Sequence, residues 1–170
     1  VISALGGWSL AYGIQLGFTT LGPQLAWQRV ALAIGGPVPS LWFLFALRYT
    51  NRESWLTRPV RALVILDPVL FGLLTLTNPS HGLVWHDASM VTYGALSVAD
   101  LSFGPGYFFH LAYTYVVTPV AFGLIVVAAT RSTLYRTQAA LLALGSIPAL
   151  VANATFSLGV DWAMAAVDFT

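Results

Sequence analysis

A chain of 170 residues with 58% hydrophobic and 8% charged side chains, at a mean hydropathy of +0.79, departs from soluble domains, where about 25% of residues are charged. The net charge is +1, and with neither a basic run nor a nucleotide-binding glycine motif present, no nucleic-acid partner is expected. Cysteine is absent, which excludes disulfides, thiol catalysis and cysteine-ligated metal.

Five apolar stretches, residues 1–20, 26–47, 60–77, 107–130 and 138–160, each approach the ~20 residues a helix needs to cross ~30 Å of hydrocarbon. Helices on a soluble surface need a polar face, and a chain this short could not hide five that lack one. The expected fold class is an all-α membrane protein, a polytopic transmembrane helical bundle forming a single domain over residues 1–170. A short extracellular β-hairpin is expected within residues 78–106.

The first stretch opens at Val1 without a charged leader, so it does not read as a signal peptide. A start without methionine suggests an excised piece of a longer chain. Gly13 and Gly17 have the spacing of a close helix contact, and Gln15 between them needs a hydrogen-bond partner inside the bundle. Proline is expected to interrupt four helices, at Pro37 and Pro39, Pro68, Pro119 and Pro148. The connector Tyr49–Pro59 is short and polar, and Pro59 suits a first helical turn.

Residues 78–106 form the longest non-helical part. Within them 89–93 and 96–103 are β-branched and aromatic, alternating at Val91/Tyr93 and Leu101/Phe103, with Gly94-Ala95 between. This pattern predicts a hairpin over the outer mouth of the bundle.

All seven basic residues are arginine. Arg48, Arg52, Arg58 and Arg61 flank the second connector and Arg131 and Arg136 the last, which places both in the cytoplasm by the positive-inside rule. Only Arg29 falls near the opposite face. Trp27, Trp55, Trp85 and Trp162 are expected at headgroup level.

No spacing resembles a nucleophile elbow, a metalloprotease helix or a phosphate loop, so neither an enzyme nor a cofactor is expected. His81, His86 and Asp87 cluster in the outer connector, but their spacing matches no standard zinc site; no metal is expected. Asp67 lies inside the third helix, where a charge costs ~2.5–3.5 kcal/mol. It is protonated, paired with an arginine of a neighbouring helix, or turned to a water-filled cavity; its residue type leaves all three open.

Five segments together carry a family resemblance. Phe45-Ala46-Leu47-Arg48-Tyr49-Thr50 followed by Trp55-Leu56-Thr57-Arg58, then Asn78-Pro79-Ser80-His81-Gly82-Leu83-Val84-Trp85, Gly104-Pro105-Gly106-Tyr107-Phe108-Phe109-His110, Tyr113-Thr114-Tyr115, and Arg136-Thr137-Gln138 leading to Pro148 and Asn153 stand in one order. The chain resembles the N-terminal seven-transmembrane sensor region of microbial histidine kinases. The resemblance implies the second to sixth helices of that region, with PAS and kinase domains following in the parent chain, which acts as a homodimer. Asp67 departs from the pattern, where an apolar residue is expected.

The leading expectation is a membrane-embedded sensor module of a two-component system, meeting the bilayer and an unknown small ligand or membrane signal. Candidate signal-facing residues are His81, Trp85 and His110 around the outer mouth, Tyr113 and Tyr115 one turn inward, and Asp67. A retinal photoreceptor needs an intramembrane lysine, which this chain lacks. A small transporter or another seven-helix receptor is the alternative; no inverted repeat supports the transporter.

Overall fold

The computed structural model describes residues 1–94 and 96–131, with Thr137, Leu141, Leu144, Gly145 and Val151 beyond them. The chain divides into two compact units, Val1–Ala121 and Phe122–Thr170. Apart from the four helical positions Leu141, Leu144, Gly145 and Val151, the expected helix 138–160 lies outside the described residues. So do Arg136, Gln138, Pro148, Asn153 and Trp162.

Helix α1 runs over Ile2–Leu16, shorter than the expected 1–20. Its last turn tightens, with the amides of Gly17 and Phe18 donating to the carbonyls of Ile14 and Gln15 at 3.1 Å each, a 3-10 ending that satisfies terminal acceptors. The expected helix 26–47 is two helices, α2 (Leu21–Gly35) and α3 (Val38–Tyr49). Pro23 does not delay α2, because first-turn amides have no intrahelical partner to lose. Pro37 and Pro39 do interrupt the span, since neither can donate to the preceding turn. Gly36 (φ −51, ψ −40) and Pro37 (φ −67, ψ −15) nonetheless stay in the right-handed helical region.

Helix α4 covers Arg58–Leu76 and α5 covers Pro105–Arg131. Pro68 and Pro119 lie inside these helices, as expected, and neither ends its helix. Leu21–Tyr49, Arg58–Leu76 and Pro105–Ala128 are long and apolar enough to cross a membrane; α1, at 15 residues, is not among these three.

Within the first unit, α1 lies along α2, and α2 along α4. The close approach of α1 and α2 uses Gly7 and Gly35: a methyl at Gly35 would stand 3.0 Å from the Trp8 ring. Gly13 faces open space, so the Gly13/Gly17 spacing is not this contact. Gln15 is buried, but its Oε1 finds no hydrogen-bond partner among the described residues, contrary to expectation.

Burial on α4 is inverted relative to a soluble helix. Its inner stripe is Val64, Asp67, Phe71 and Thr75, while Leu63, Ile65, Leu66, Val69, Leu70, Leu73 and Leu76 are exposed. Large aliphatic side chains outside and a carboxylate inside fit hydrocarbon as the surrounding solvent.

The hairpin pairs β1 (Trp85–Tyr93) with β2 (Leu96–Phe103), antiparallel, from Tyr93↔Leu96 to Trp85↔Phe103. β1 begins earlier than the expected 89–93. Its first residues are polar, but His86 sits in a bulge between Trp85 and Asp87, which extends pairing into a segment without clean alternation. Gly94 adopts φ +59 at the turn, a conformation glycine takes without strain. The two expected alternations fall on opposite faces. Leu101 and Phe103 pack on a core of Phe71, Val84, Trp85 and Tyr107, whereas Tyr93 and Leu96 are exposed.

Candidate functional site

Asn78 organises the segment that joins α4 to the hairpin. Its side chain accepts from the amides of Val84 (2.8 Å) and Trp85 (3.3 Å) and donates to the Trp85 carbonyl (2.8 Å), while its own carbonyl accepts from Gly82. These bonds turn Trp85 inward. Its ring is a core residue at 6% exposure, which corrects the headgroup-level expectation for this tryptophan; Trp55, by contrast, is exposed under the Arg52 guanidinium, 5.2 Å from the ring centroid.

His81 is wired on both ring nitrogens. The Leu83 amide donates to Nδ1 at 3.0 Å, so the ring proton resides on Nε2 and is given to Thr77 Oγ1 at 3.0 Å. Thr77 in turn donates to the Leu73 carbonyl at 2.7 Å. The imidazole thus has no lone pair left for a metal, and among the described residues no three of His, Cys, Asp and Glu converge. His81 and Trp85, with Asn78, His86 and Asp87, border an open depression of about 420 Å³.

The second group lies deeper. Asp67 Oδ2 on α4 meets His110 Nδ1 on α5 at 2.8 Å, with both side chains buried. The partner of Asp67 is therefore a histidine and not the arginine considered from sequence. Phe71, one turn along α4, stacks on the His110 ring at 3.9 Å between centroids and 10° between planes. Tyr113, one turn along α5, shares a 2.6 Å hydrogen bond with Ser40 of α3. Three helices are thereby joined by polar contacts where unpaired polar groups are costly.

Of the six sequence candidates, Asp67, His110 and Tyr113 stand in this buried group, and His81 and Trp85 at the depression. Tyr115 is turned about 200° from Tyr113 around α5 and is exposed. Phe71 belongs to both groups, since it stacks on His110 and packs in the core with Trp85.

Sequence reasoning missed Gln24. Its buried amide donates to the Ser97 carbonyl (2.6 Å) and the Phe18 carbonyl (2.5 Å), and its Oε1 accepts from the Ala99 amide (2.7 Å). One side chain of α2 thus completes the outer edge of β2. A carboxamide near the start of an apolar span was the available signal. Ser40 and Asn78 gave a similar but weaker one.

The family description "N-terminal 7TM region of histidine kinase" matches residues 1–170. No curated protein and no solved structure matches the chain. A lipid-facing exterior, arginines gathered at the connector between α3 and α4, and a match over the full length agree with one another. The chain belongs to the N-terminal 7TM region of histidine kinases, a transmembrane region.

Proposed function

We propose that residues 1–170 form a single polytopic input module whose hairpin end receives a small ligand or membrane signal and whose arginine-bearing end passes it to cytoplasmic PAS and kinase domains. The observation that carries this reading is the buried Asp67–His110 pair on helices otherwise dressed for lipid. An intramembrane carboxylate is costly and marks function more often than packing.

The two groups of candidate residues supply a route. His81 and Trp85 border the depression where a signal would act, and Phe71 connects that wall to His110. Moving a two-state population from 1:99 to 99:1 needs ~5.5 kcal/mol, while an interhelical hydrogen bond in a membrane is worth ~0.6–2 kcal/mol. No single contact suffices. Asp67–His110, Ser40–Tyr113 and the Phe71 stack would have to rearrange together.

The test uses the full-length gene product in lipid vesicles, with autophosphorylation from ATP as readout. Asp67→Asn and His110→Gln are expected to shift basal kinase activity several-fold in either direction while the protein stays folded. Wild-type protein that never phosphorylates, or impermeant labels placing Arg52 and Arg131 on opposite faces of the membrane, would overturn the reading.

A further inference from the structure

We propose that the open edge of β1 pairs antiparallel with β1 of a second copy of this chain, in the register centred on Met90. The two edges of the hairpin are treated differently. Gln24 takes the Ser97 carbonyl and the Ala99 amide, so Ser97 and Ala99 point their main-chain groups away from β1. Directly opposed residues of an antiparallel pair share that sense. Thr92, paired with Ser97, and Met90, paired with Ala99, therefore direct their N–H and C=O groups away from β2, and so does Ala88, paired with Leu101. Among the described residues no hydrogen bond meets these outward groups.

Exposed edges are normally blunted by lysine, proline, inward charge or a bulge. Ala88–Tyr93 contains none of these; the one bulge lies before it, at His86. The edge is also self-complementary. Centred on Met90, an antiparallel pair sets Met90 against its own counterpart, Ala88 against Thr92, and Asp87 against Tyr93. The two Asp87 carboxylates then stand six residues apart, ~20 Å, so no like charges oppose each other. Two copies in one bilayer share an orientation, and the pairing requires a two-fold axis along the membrane normal, which a ribbon lying parallel to the membrane plane would supply. Only this last step rests on the membrane orientation proposed above.

Residues 1–170 contain no cysteine, so a direct test is possible in native membranes with the full-length protein, any cysteine elsewhere in the parent chain first being replaced by serine. Met90→Cys should give an oxidant-dependent disulfide dimer, because directly opposed residues of a hydrogen-bonded pair lie ~5.5 Å apart at Cα, within the ~4.4–6.8 Å a disulfide spans. Ala88→Cys alone and Thr92→Cys alone should give little, each lying ~14 Å from its own counterpart, while the two co-expressed should cross-link. Ala99→Cys, at the covered edge, should give none. The Met90 and Thr92 amides should also exchange slowly with deuterium in the assembled protein. Equal cross-linking at every position, or rapid exchange at those amides, overturns the pairing. Protected amides without the Met90 cross-link assign the edge to another protein's strand and overturn it as well. None of these outcomes depends on kinase activity, so failure here is distinct from failure of the input-module reading.

Discussion

Gly36 and Phe71 touch where no side chain could intervene: a methyl at Gly36 would lie 2.7 Å from Phe71 Cδ1 and 3.3 Å from Cε1. The interrupted span between α2 and α3 thus presents bare backbone to the ring that stacks on His110. Gly36→Ala should cost about 1–3 kcal/mol through overpacking, read as a lower thermal midpoint in detergent. Adding Phe71→Leu should recover part of that loss, because residues in contact couple. Fully additive losses would place the strain elsewhere.

Removing one member of the Asp67–His110 pair should hurt more than altering both. His110→Ala leaves a buried carboxylate unpaired and should destabilise by about 3 kcal/mol. Asp67→Asn keeps a hydrogen-bonding group and should cost about 1 kcal/mol. Combining His110→Leu with Asp67→Leu replaces the pair by apolar packing and should be milder than His110→Ala alone. Unfolding midpoints of the four proteins decide the order.

Gln24→Leu should release β2 while leaving the helices formed. The amide of Ala99 loses its acceptor, and its hydrogen exchange should accelerate by tenfold or more, corresponding to ~1.4 kcal/mol. Gln24→Glu retains an acceptor for that amide but loses both donated bonds, and should give intermediate exchange. Unchanged exchange in the leucine variant would mean the strand is held by its side chains alone.

Gly104 should tolerate nothing larger than hydrogen. A methyl there would meet the Leu83 carbonyl oxygen at 2.5 Å and its carbon at 2.9 Å, and backbone cannot swing aside as a side chain can. Gly104→Ala should therefore abolish accumulation of folded protein in membranes. Gly94→Ala, with open space around it but φ +59, should cost only ~1–2 kcal/mol. The contrast separates a steric requirement from a conformational one.

Much of this was legible from hydropathy alone, because period and length are local properties. The apolar segments, the hairpin with its Gly94 turn and the polar nature of the α3–α4 connector follow directly. Boundaries were less so. α2 begins before Pro23 because a first-turn proline costs little, and β1 extends to Trp85 through a bulge that alternation does not encode. Prolines illustrate the same limit. Pro37 and Pro39 act as a pair next to Gly36 and break the helix, whereas Pro68 and Pro119 stand singly and do not.

At the candidate site, residue types were visible and partners were not. Asp67 stood out for its charge, yet His110 lies 43 positions away, and only tertiary packing brings them together. Gln24 reaches Ser97 and Ala99 over 73 and 75 positions. Trp85 was misassigned to the headgroups because its inward turn depends on bonds from Asn78, which no hydropathy pattern reveals.

The grip of Gln24 has an evolutionary corollary. It recognises only main-chain atoms of Ser97 and Ala99, so it is indifferent to the side chains projecting from the far side of the ribbon, Tyr93 and Leu96 among them. Those positions can be rewritten, one after another, without unfastening the hairpin. A ribbon fastened this way can exchange the side chains it exposes while keeping its attachment to α2.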